Sequence, residues 1–255
     1  RRFRIDLGAT PIDIYETLCR TNPAAFAAYI PIGGSETDGA VLSSSPELFL
    51  SLRDGEAITR PIKGTRPRGA SADEDARLSG ELSSSEKERA ELNMIIDLER
   101  NDLGRVCEYG TVRVVDEGSI EIHPTVLHRT AMITGRLRAD CDGVDLLRAA
   151  FPCGSITGAP KVRAMEIIRE LEPDARGPYC GTIGWIGVDG AMCLNVAIRT
   201  LTAHAGHVDL HVGSGLVVDS DPVAELAELD AKAAGMMAAL GAACEPGARA
   251  TGGCK

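Results

Sequence analysis

Alternating hydrophobic and polar positions predict strands over much of the first quarter of the chain, after one short helix. Helical spacing at 11–20 is followed by strand-like residues at 40–52, with a break at Pro46-Glu47. The Asp54-Gly55 pair is typical of a hairpin turn and returns the chain through a strand at 56–60. The pattern therefore predicts a hairpin that leads directly into the residues after 60.

The middle of the chain is predicted to hold one long helix behind a polar connection. Residues 66–85 are rich in Ser, Asp and Glu, which favours a mobile connection outside the core. The sequence Ser85-Glu86-Lys87-Glu88 has the spacing of a capping box, and apolar residues follow it at helical spacing as far as Gly104. Extended segments are predicted at 111–115 and 121–134.

Helices and strands come in blocks again in the second half. Helices are predicted at 143–151 and from Pro160 to just before Pro173. Predicted strands then form a meander at 181–188, 192–201 and 208–218. A last helix is predicted at 222–240. Because the blocks do not alternate strictly, we expect an α+β fold with large, mostly antiparallel sheets packed with helices.

The length of the chain allows one large domain or two small ones. We expect one domain over residues 1–241 of the 255, followed by a disordered tail at 242–255, which has no pattern. Strand-like alternation is already under way at Arg2, and no methionine precedes it. The sequence therefore favours a piece of a longer protein.

Composition excludes several classes of function. The chain is 44% hydrophobic and 25% charged, and it lacks the run of roughly 20 apolar residues that a membrane helix needs. A net charge of −10 argues against nucleic acid as a partner, and 4% aromatic residues offer few surfaces for stacked bases. An anionic ligand must therefore be met by a local basic cluster.

The cysteines and histidines give little sign of a metal centre. The eight cysteines form no C-x-x-C pair and no signal peptide opens the chain, which favours reduced thiols in a cytoplasmic protein. Strand alternation would place His207 and His211 on one face, with His204 near a turn. A transition-metal site is open there, but a solvated strand face is the favoured interpretation.

The loop after the predicted hairpin holds a lysine in an unusual setting. Lys63 lies between Pro61, which fixes the backbone, and Gly64, which permits close or left-handed backbone. Such a loop is expected to place a residue rather than to continue a strand. An amine becomes a nucleophile when burial or nearby positive charge favours its neutral form, and three arginines surround this one. A solvated basic loop is the alternative.

Two carboxylate pairs have the spacing of one helix face. Glu88 with Glu91, and Glu225 with Glu228, lie three residues apart on predicted helices. Carboxylate oxygens from two such pairs suit Mg²⁺, which prefers oxygen ligands and keeps several waters. Each pair also has an ordinary explanation: Glu88 fits a capping box, and Glu228 can pair with Lys232.

Two glycine-rich turns and one arginine could bind an anion. The Gly154–Lys161 turn lacks the spacing of a nucleotide-binding phosphate loop, which excludes a nucleotide triphosphatase of that type. Free N–H groups of Gly213-Ser214-Gly215 could hold a carboxylate, although a plain tight turn explains them too. Arg199 lies in a predicted apolar strand and needs an anionic partner, either a ligand or a protein carboxylate.

Several of these motifs, in this order, resemble the chorismate-utilising enzymes. The resemblance runs from Arg2 to Leu240. It rests on Ser45-Pro46-Glu47, Pro61-Ile62-Lys63-Gly64-Thr65-Arg66, Glu88-Arg89-Ala90-Glu91, Asp97-Leu98-Glu99-Arg100-Asn101-Asp102-Leu103-Gly104, Phe151 to Lys161, Gly213-Ser214-Gly215, and Asp219 to Glu228. The family fold usually includes a further N-terminal portion, which is missing from this sequence.

The resemblance implies one site. It implies that the four glutamates hold Mg²⁺, which anchors the ring carboxylate of chorismate. It also implies that Glu47 is the general acid that helps the C4 hydroxyl to leave. The residues implied in substrate binding are Gly64, Thr65, Gly213, Ser214 and Gly215 for the ring and its carboxylate, Tyr179 and Arg199 for the enolpyruvyl carboxylate, and His128, which would line the pocket or be a core histidine.

Lys63 distinguishes members of the family. Members that aminate C4 of chorismate resemble Pro61-Ile62-Lys63-Gly64-Thr65, whereas members that form anthranilate typically carry alanine in place of the lysine. The resemblance implies that Lys63 attacks C2. Anthranilate formation, isochorismate formation and a non-catalytic anion-binding paralogue are the alternatives. No G-x-C-x-G nucleophile motif surrounds any cysteine, so a separate glutamine amidotransferase subunit is expected to supply ammonia.

Overall fold

The computed structural model describes residues 1–33, 39–123, 126–218 and 220–241, and the predicted tail at 242–255 lies outside them. The chain divides into two compact units. The first unit comprises Arg1–Pro46, Arg176–Ile183 and Ala197–Lys255, and the second comprises Glu47–Ala175 and Gly184–Val196. The strand pairings with a described register are antiparallel, which confirms the predicted α+β class.

The first unit is a five-stranded sheet with two helices. Its strands, in spatial order, are β1 (Arg2–Asp6), β12 (His207–His211), β11 (Thr200–His204), β3 (Gly39–Ser45) and β2 (Phe26–Pro31). Helices α1 (Pro11–Thr21) and α6 (Pro222–Ala239) contact each other, and α1 packs on β3. The core is apolar and includes Leu18, Leu42, Leu201, Leu210 and Met236.

A charged cluster joins the edge strand β1 to its neighbour β12. Asp209 is 6% exposed, and it accepts hydrogen bonds from Arg4 Nη2 (2.9 Å) and Arg2 Nη2 (3.0 Å). His204 Nε2 lies 2.9 Å from the same oxygen. Burial alone would raise the pKa of Asp209, but the hydrogen bonds from Arg4, Arg2 and His204 outweigh it and hold the pKa well below its usual range.

We expect Asp209→Asn to destabilise the protein at neutral pH, because the arginines lose their buried counter-charge. The loss should be about 1–3 kcal/mol of unfolding free energy. Since the folded pKa of Asp209 is depressed, its stabilisation is present above the ordinary value of 3.8 and is lost as the pH falls through the folded pKa. Urea unfolding at pH 7 and at acid pH checks this; a difference from wild type that is independent of pH would contradict it.

The second unit is a seven-stranded sheet covered by helices. Six strands follow the order β6 (Ile62–Pro67), β8 (Val126–Arg136), β5 (Glu56–Arg60), β4 (Leu48–Arg53), β10 (Met192–Val196) and β9 (Thr182–Ile186), and β7 (Arg113–Ile122) also pairs with β8. Its helices are α2 (Ala72–Ser84), α3 (Glu86–Gly104), α4 (Gly143–Ala150) and α5 (Lys161–Leu171), with a short 3-10 helix at Gly154–Ile156.

Helix α3 is the central helix of this unit and was predicted correctly. Ser85 caps it, with the Ser85 hydroxyl accepting from the Glu88 amide at 3.4 Å. The helix packs on β6, β7 and β8 through buried apolar residues that include Leu92, Ile95 and Leu103. Glu99 lies on the same buried face, so the face is not purely apolar.

The prediction of a mobile connection at 66–85 is wrong, because α2 occupies most of it. The Ser71 hydroxyl accepts from the Glu74 amide at 3.2 Å, and acidic residues fill the first turn, which stabilises a helix N-terminus. Leu82 alone in this helix is fully buried. One apolar anchor on an otherwise polar helix gives too weak a periodicity to be recognised in the sequence.

The remaining helices agree with their predicted positions, with one difference in packing. Helix α5 has apolar residues at helical spacing, yet none of its residues is buried in the structure. Within the described part of the chain, no helix is both long and apolar enough to cross a membrane.

Candidate active site

Lys63 lies in a strand rather than in a loop, which corrects the prediction. Strand β6 pairs with β8 through Ile62 opposite Thr130 and Thr65 opposite His128. An advance of three residues along β6 therefore corresponds to two residues along β8, so Lys63 and Gly64 form a β-bulge. Gly64 has φ of +91°, a conformation that glycine adopts without strain. The bulge places a residue as expected, but it does so without ending the strand.

The backbone of Gly64 packs directly against Glu88 of α3. A Cβ added at Gly64 would lie 2.7 Å from Glu88 Oε2 and 2.7 Å from Leu82 Cδ1. The other carboxylate oxygen of Glu88 accepts from Arg66 Nη1 at 2.8 Å. Glu88 therefore faces the bulge from the first turn of its helix, with one oxygen held by an arginine.

Glu88 has the character of a metal ligand. Its Oε2 atom is buried and has no hydrogen-bond partner among the described residues. A buried carboxylate oxygen without a partner is costly, and a hard cation would satisfy it. Glu91 follows on the same helix, half-buried, with Lys87 Nζ at 3.9 Å from its Oε1. The oxygen donors of this pair fit Mg²⁺.

Thr65 and His128 form a polar contact beside the bulge. Thr65 Oγ1 and His128 Nδ1 are 2.9 Å apart on adjacent strands. His128 is 1% exposed, and its ring lies edge to face with that of His123, with centroids 5.3 Å apart. The pair places a hydroxyl and an imidazole next to Lys63 and Gly64.

Glu47 lies where the chain passes from β3 to β4, at the break that the sequence predicted. Its side chain is 3% exposed, and its carbonyl accepts from the Val196 amide at 3.0 Å. Burial shields this carboxyl group from bulk water, which suits a group that transfers a proton.

The glycine-rich turn forms the 3-10 helix Gly154–Ile156 and contacts the candidate lysine. Lys63 Nζ donates to the carbonyl of Ser155 at 3.1 Å. Lys161 at the end of the turn donates to Asp102 Oδ2 (2.6 Å) and to the Ala150 carbonyl (2.7 Å). Lys161 is thus paired with groups of the protein itself, whereas the lysine of a phosphate loop binds the phosphates of a nucleotide.

Two buried groups behind the turn that contacts Lys63 were not singled out from the sequence. Glu99 is 4% exposed and Cys153 is 3% exposed. Burial raises the pKa of Glu99 to about 8; the Thr59 hydroxyl opposes this, and the charge of Glu47 adds to it. Glu99 lies four residues after Ile95, on the apolar face of α3, so helical spacing could have identified it as buried.

In the first unit, Tyr179 lies against the end of β12. Its ring stacks on that of His211, with centroids 5.5 Å apart and an interplanar angle of 15°. A Cβ on Gly213 would lie 2.7 Å from the Tyr179 hydroxyl, so only glycine leaves room for the tyrosine there. His211 is a further candidate that the sequence did not single out for substrate binding.

Arg199 does not lie in a strand, which corrects the prediction. Strand β10 ends at Val196 and β11 begins at Thr200. Arg199 has φ of +48°, which is uncommon for a residue with a side chain and marks strained backbone. Its carbonyl accepts from the Ser44 amide at 3.0 Å, which fixes this turn against β3.

The remaining candidates of the first unit lie around the start of α6. Glu225 is 7% exposed and accepts from the Ser220 hydroxyl at 2.7 Å. Glu228 forms a salt bridge with Lys232 at 2.6 Å, as the sequence allowed for a glutamate four residues before a lysine. Lys232 also donates to the Gly213 carbonyl at 3.0 Å, linking α6 to Gly213-Ser214-Gly215. Ser214 is half-buried and Gly215 is exposed.

The three C-terminal histidines have other contacts. His204 contacts Asp209, His211 stacks on Tyr179, and His207 Nδ1 lies 3.0 Å from Asp6. In neither unit, over the residues described, do three or more His, Cys, Asp or Glu side chains gather into a group that could hold a metal ion. The six described cysteines are free thiols.

The fold agrees with comparisons to known proteins. The family model for chorismate binding enzymes matches residues 1–238, and the chain belongs to this family. The chain is 51% identical over 228 residues to aminodeoxychorismate synthase component 1 of Klebsiella aerogenes, covering 89% of this chain and 50% of that protein. It is 45% identical over 240 residues to anthranilate synthase component 1 of Streptomyces coelicolor, covering 94% and 46%.

A solved structure gives the same result for the fold. The crystal structure of anthranilate synthase component I from Streptococcus pneumoniae matches with a TM-score of 0.82 and 37% identity. The match covers 92% of this chain and 51% of that one. This chain therefore spans about half the length of the curated relatives it matches.

We expect Gly64→Ala to lose chorismate affinity, because the added methyl group would displace Glu88. The matched control is Gly55→Ala: Gly55 also has positive φ (+76°), but no atom lies within 4 Å of its added Cβ. Both variants should lose about 1 kcal/mol of stability through backbone strain, and Gly64→Ala should lose more because its methyl group clashes with Glu88 and Leu82. Only Gly64→Ala should bind chorismate at least about ten-fold more weakly, since one displaced contact of 1.4 kcal/mol has that effect.

Calorimetric titration of the full-length protein with chorismate measures the affinity of each variant. Equal affinities in the two variants would exclude a role for the contact with Glu88.

Proposed function

We propose that this chain is the catalytic part of an aminodeoxychorismate synthase component I. The reaction is the amination of chorismate at C4 to 4-amino-4-deoxychorismate, a step toward 4-aminobenzoate and folate in the cytoplasm. The observation that carries the proposal is the position of Lys63: an amine on a strand bulge, beside a carboxylate with an unsatisfied oxygen, and connected through the Cys153–Ser155 turn to a buried glutamate. Relatives with this activity at 51% and 46% identity support it.

Lys63 is the proposed nucleophile. Its neutral amine forms a bond to C2 of chorismate, the two ring double bonds shift, and the C4–O bond breaks. Glu47 gives its proton to the departing hydroxyl, which leaves as water. Ammonia then attacks C4, the double bonds shift back, and the C2–N bond to Lys63 breaks; the proton that the new C4 ammonium group gives up returns to Glu47. The lysine is regenerated and no oxidant or reductant is needed.

Mg²⁺ is the proposed cofactor. When bound, it would supply positive charge that anchors the ring carboxylate of the substrate. Glu88, Glu91, Glu225 and Glu228 are the proposed ligands, and the orphaned oxygen of Glu88 supports the first of them. Gly64, Thr65 and Gly215 would orient the ring, with Gly213 and Ser214 beside them, and His128 would line the pocket. Tyr179 and Arg199 would bind the enolpyruvyl carboxylate.

Ammonia is proposed to come from a separate glutamine amidotransferase. The sequence has no glutaminase nucleophile motif of its own. The designation "component 1" of the curated relatives supports a second component. Free ammonium at alkaline pH could replace the partner in vitro.

Anthranilate synthesis is the second candidate, because a relative of 45% identity over 94% of the chain bears that name. That reaction would aminate C2 and release pyruvate. It leaves Lys63 without a covalent role, since the nitrogen itself must bond to C2. Lys63 therefore favours amination at C4.

The product of the full-length protein with chorismate, Mg²⁺ and ammonium decides between the two. We expect aminodeoxychorismate from the wild type, measured by mass spectrometry. Lys63→Ala should lose this product by at least about a hundred-fold or shift to anthranilate, since loss of a nucleophile removes several kcal/mol of transition-state stabilisation. Lys63→Met, which keeps the aliphatic stem, serves as the control for packing. Anthranilate and pyruvate from the wild type would overturn the proposal.

We expect Glu88→Gln to weaken the binding of Mg²⁺ by at least about ten-fold, because an amide replaces a charged oxygen donor. Glu81→Gln is the matched control, since Glu81 is an exposed helical glutamate that pairs only with Arg77 in the described structure. The Mg²⁺ dependence of turnover and direct titration of the metal measure the effect. Equal Mg²⁺ affinity in both variants would remove Glu88 from the proposed ligands.

A further inference from the structure

A buried carboxyl group lies behind the turn that contacts Lys63. Glu99 Oε2 accepts from Thr59 Oγ1 at 2.8 Å, and Glu99 Oε1 accepts from Cys153 Sγ at 3.5 Å. Both donors are neutral. Their hydrogen bonds hold the carboxyl group in place, and burial favours its protonated form. Glu99 is thus a fixed and neutral anchor at pH 7.

Cys153 connects Glu99 to the turn. Burial raises the pKa of the Cys153 thiol well above its ordinary value, so the thiol keeps the proton that it donates to Glu99. The same sulfur lies 3.2 Å from Ser155 Oγ, and Thr157 Oγ1 donates to the Cys153 carbonyl at 2.9 Å. The hydrogen bonds of Cys153 therefore fix both ends of the 3-10 helix.

The turn has no room to shift toward α3. A Cβ on Gly154 would lie 2.8 Å from Leu98 Cδ2 and 3.5 Å from Glu99 Cγ. The backbone of Gly154 thus packs against α3, the helix that contains Glu99. The next carbonyl, that of Ser155, accepts from Lys63 Nζ at 3.1 Å. A continuous set of contacts runs from Thr59 and Glu99 through Cys153 to the amine of Lys63.

We propose that Glu99 is a positioning residue for Lys63, which it controls by anchoring the Cys153–Ser155 turn whose carbonyl holds the lysine amine. This inference rests on the proposed role of Lys63 as nucleophile. In this proposal Glu99 contacts neither the substrate nor the reacting atoms. It acts on Lys63 through Cys153 and Ser155. The carbonyl of Ser155 aims the amine, and the protonated carboxyl keeps negative charge away from it.

Ionisation of Glu99 would disturb this arrangement. Glu47 and Asp102 are the other acidic groups that influence Glu99, and Asp102 is already paired with Lys161. A charge on Glu99 would therefore face Glu47, since the described hydrogen-bond donors to Glu99 are the neutral Thr59 and Cys153, and it would favour the protonated lysine. Since the pKa of Glu99 is raised to about 8, this effect is small at pH 7 and develops as the pH rises through 8.

The test compares Glu99→Gln with wild type in the full-length protein. Glutamine has the shape of the neutral acid, so turnover at pH 7 should remain within about two-fold, a change of less than 1 kcal/mol. Acetylation of Lys63 by acetic anhydride, followed by mass spectrometry from pH 6 to 10, is the second readout. At pH 9 the variant should react about three-fold faster or more, because it cannot acquire the buried charge. Overlapping profiles for the two proteins would overturn the proposal.

Cys153→Ala tests the connection independently of Glu99. It should lower kcat by about ten-fold with little change in the KM for chorismate, because the nucleophile is misaligned while binding is kept. Cys153→Ser, which restores a donor, should recover most of the loss. Cys107→Ala is the matched control, a second buried cysteine of the same unit outside the site. Equal kinetics of Cys153→Ala and Cys107→Ala would contradict the proposal.

The readouts separate this inference from the proposed function. Acetylation of Lys63 needs no turnover, so it reports the effect of Glu99 whichever product forms. Anthranilate from the wild type would overturn the proposed function and the role of Lys63 as nucleophile, whereas the acetylation profiles would still show whether Glu99 controls the amine. A wild-type yield of aminodeoxychorismate, together with acetylation and kinetics that are insensitive to Glu99 and Cys153, would overturn the positioning role alone.

Discussion

The packing of helix α3 on the sheet of the second unit is the constraint on which the candidate chemistry depends. Leu92, Ile95 and Leu103 bury their side chains against β6, β7 and β8, at about 1.5–3 kcal/mol each. The same face carries Glu88 at its start and Glu99 further along. Because the apolar residues fix the rotation of the helix, they also determine where these carboxyl groups point.

The bulge of β6 meets this helix at close range. Gly64 approaches Glu88 so closely that a methyl group would not fit, and the positive φ makes glycine the least strained residue there. The extra residue of the bulge changes which side of the strand Lys63 occupies. Backbone geometry rather than loop flexibility thus sets the position of the amine.

Buried polar groups are unusually important in the second unit. Glu47, Glu99 and Asp102 are each at most 5% exposed, and Glu99 and Asp102 have different partners. Asp102 has the ammonium of Lys161, whereas Glu99 has a hydroxyl and a thiol. Burial raises the pKa of Glu99 to about 8, and the hydrogen bonds from its neutral donors do not reverse this, so Glu99 keeps its proton at pH 7 and is a structural anchor rather than a counter-ion.

The sequence alone determined the element types, the α+β class, the long capped helix and the family, because these depend on periodicity and on local motifs. It did not reveal the helix at Ala72–Ser84, whose single buried leucine gives no pattern, or the strand that contains Lys63, since a bulge interrupts its alternation. Nor did it place Arg199 in a strained turn. Only the tertiary structure decided that Glu99, Cys153 and Ser155 meet near Lys63, because contacts between residues up to 92 positions apart arise from the packing of a helix on a sheet and have no local signature.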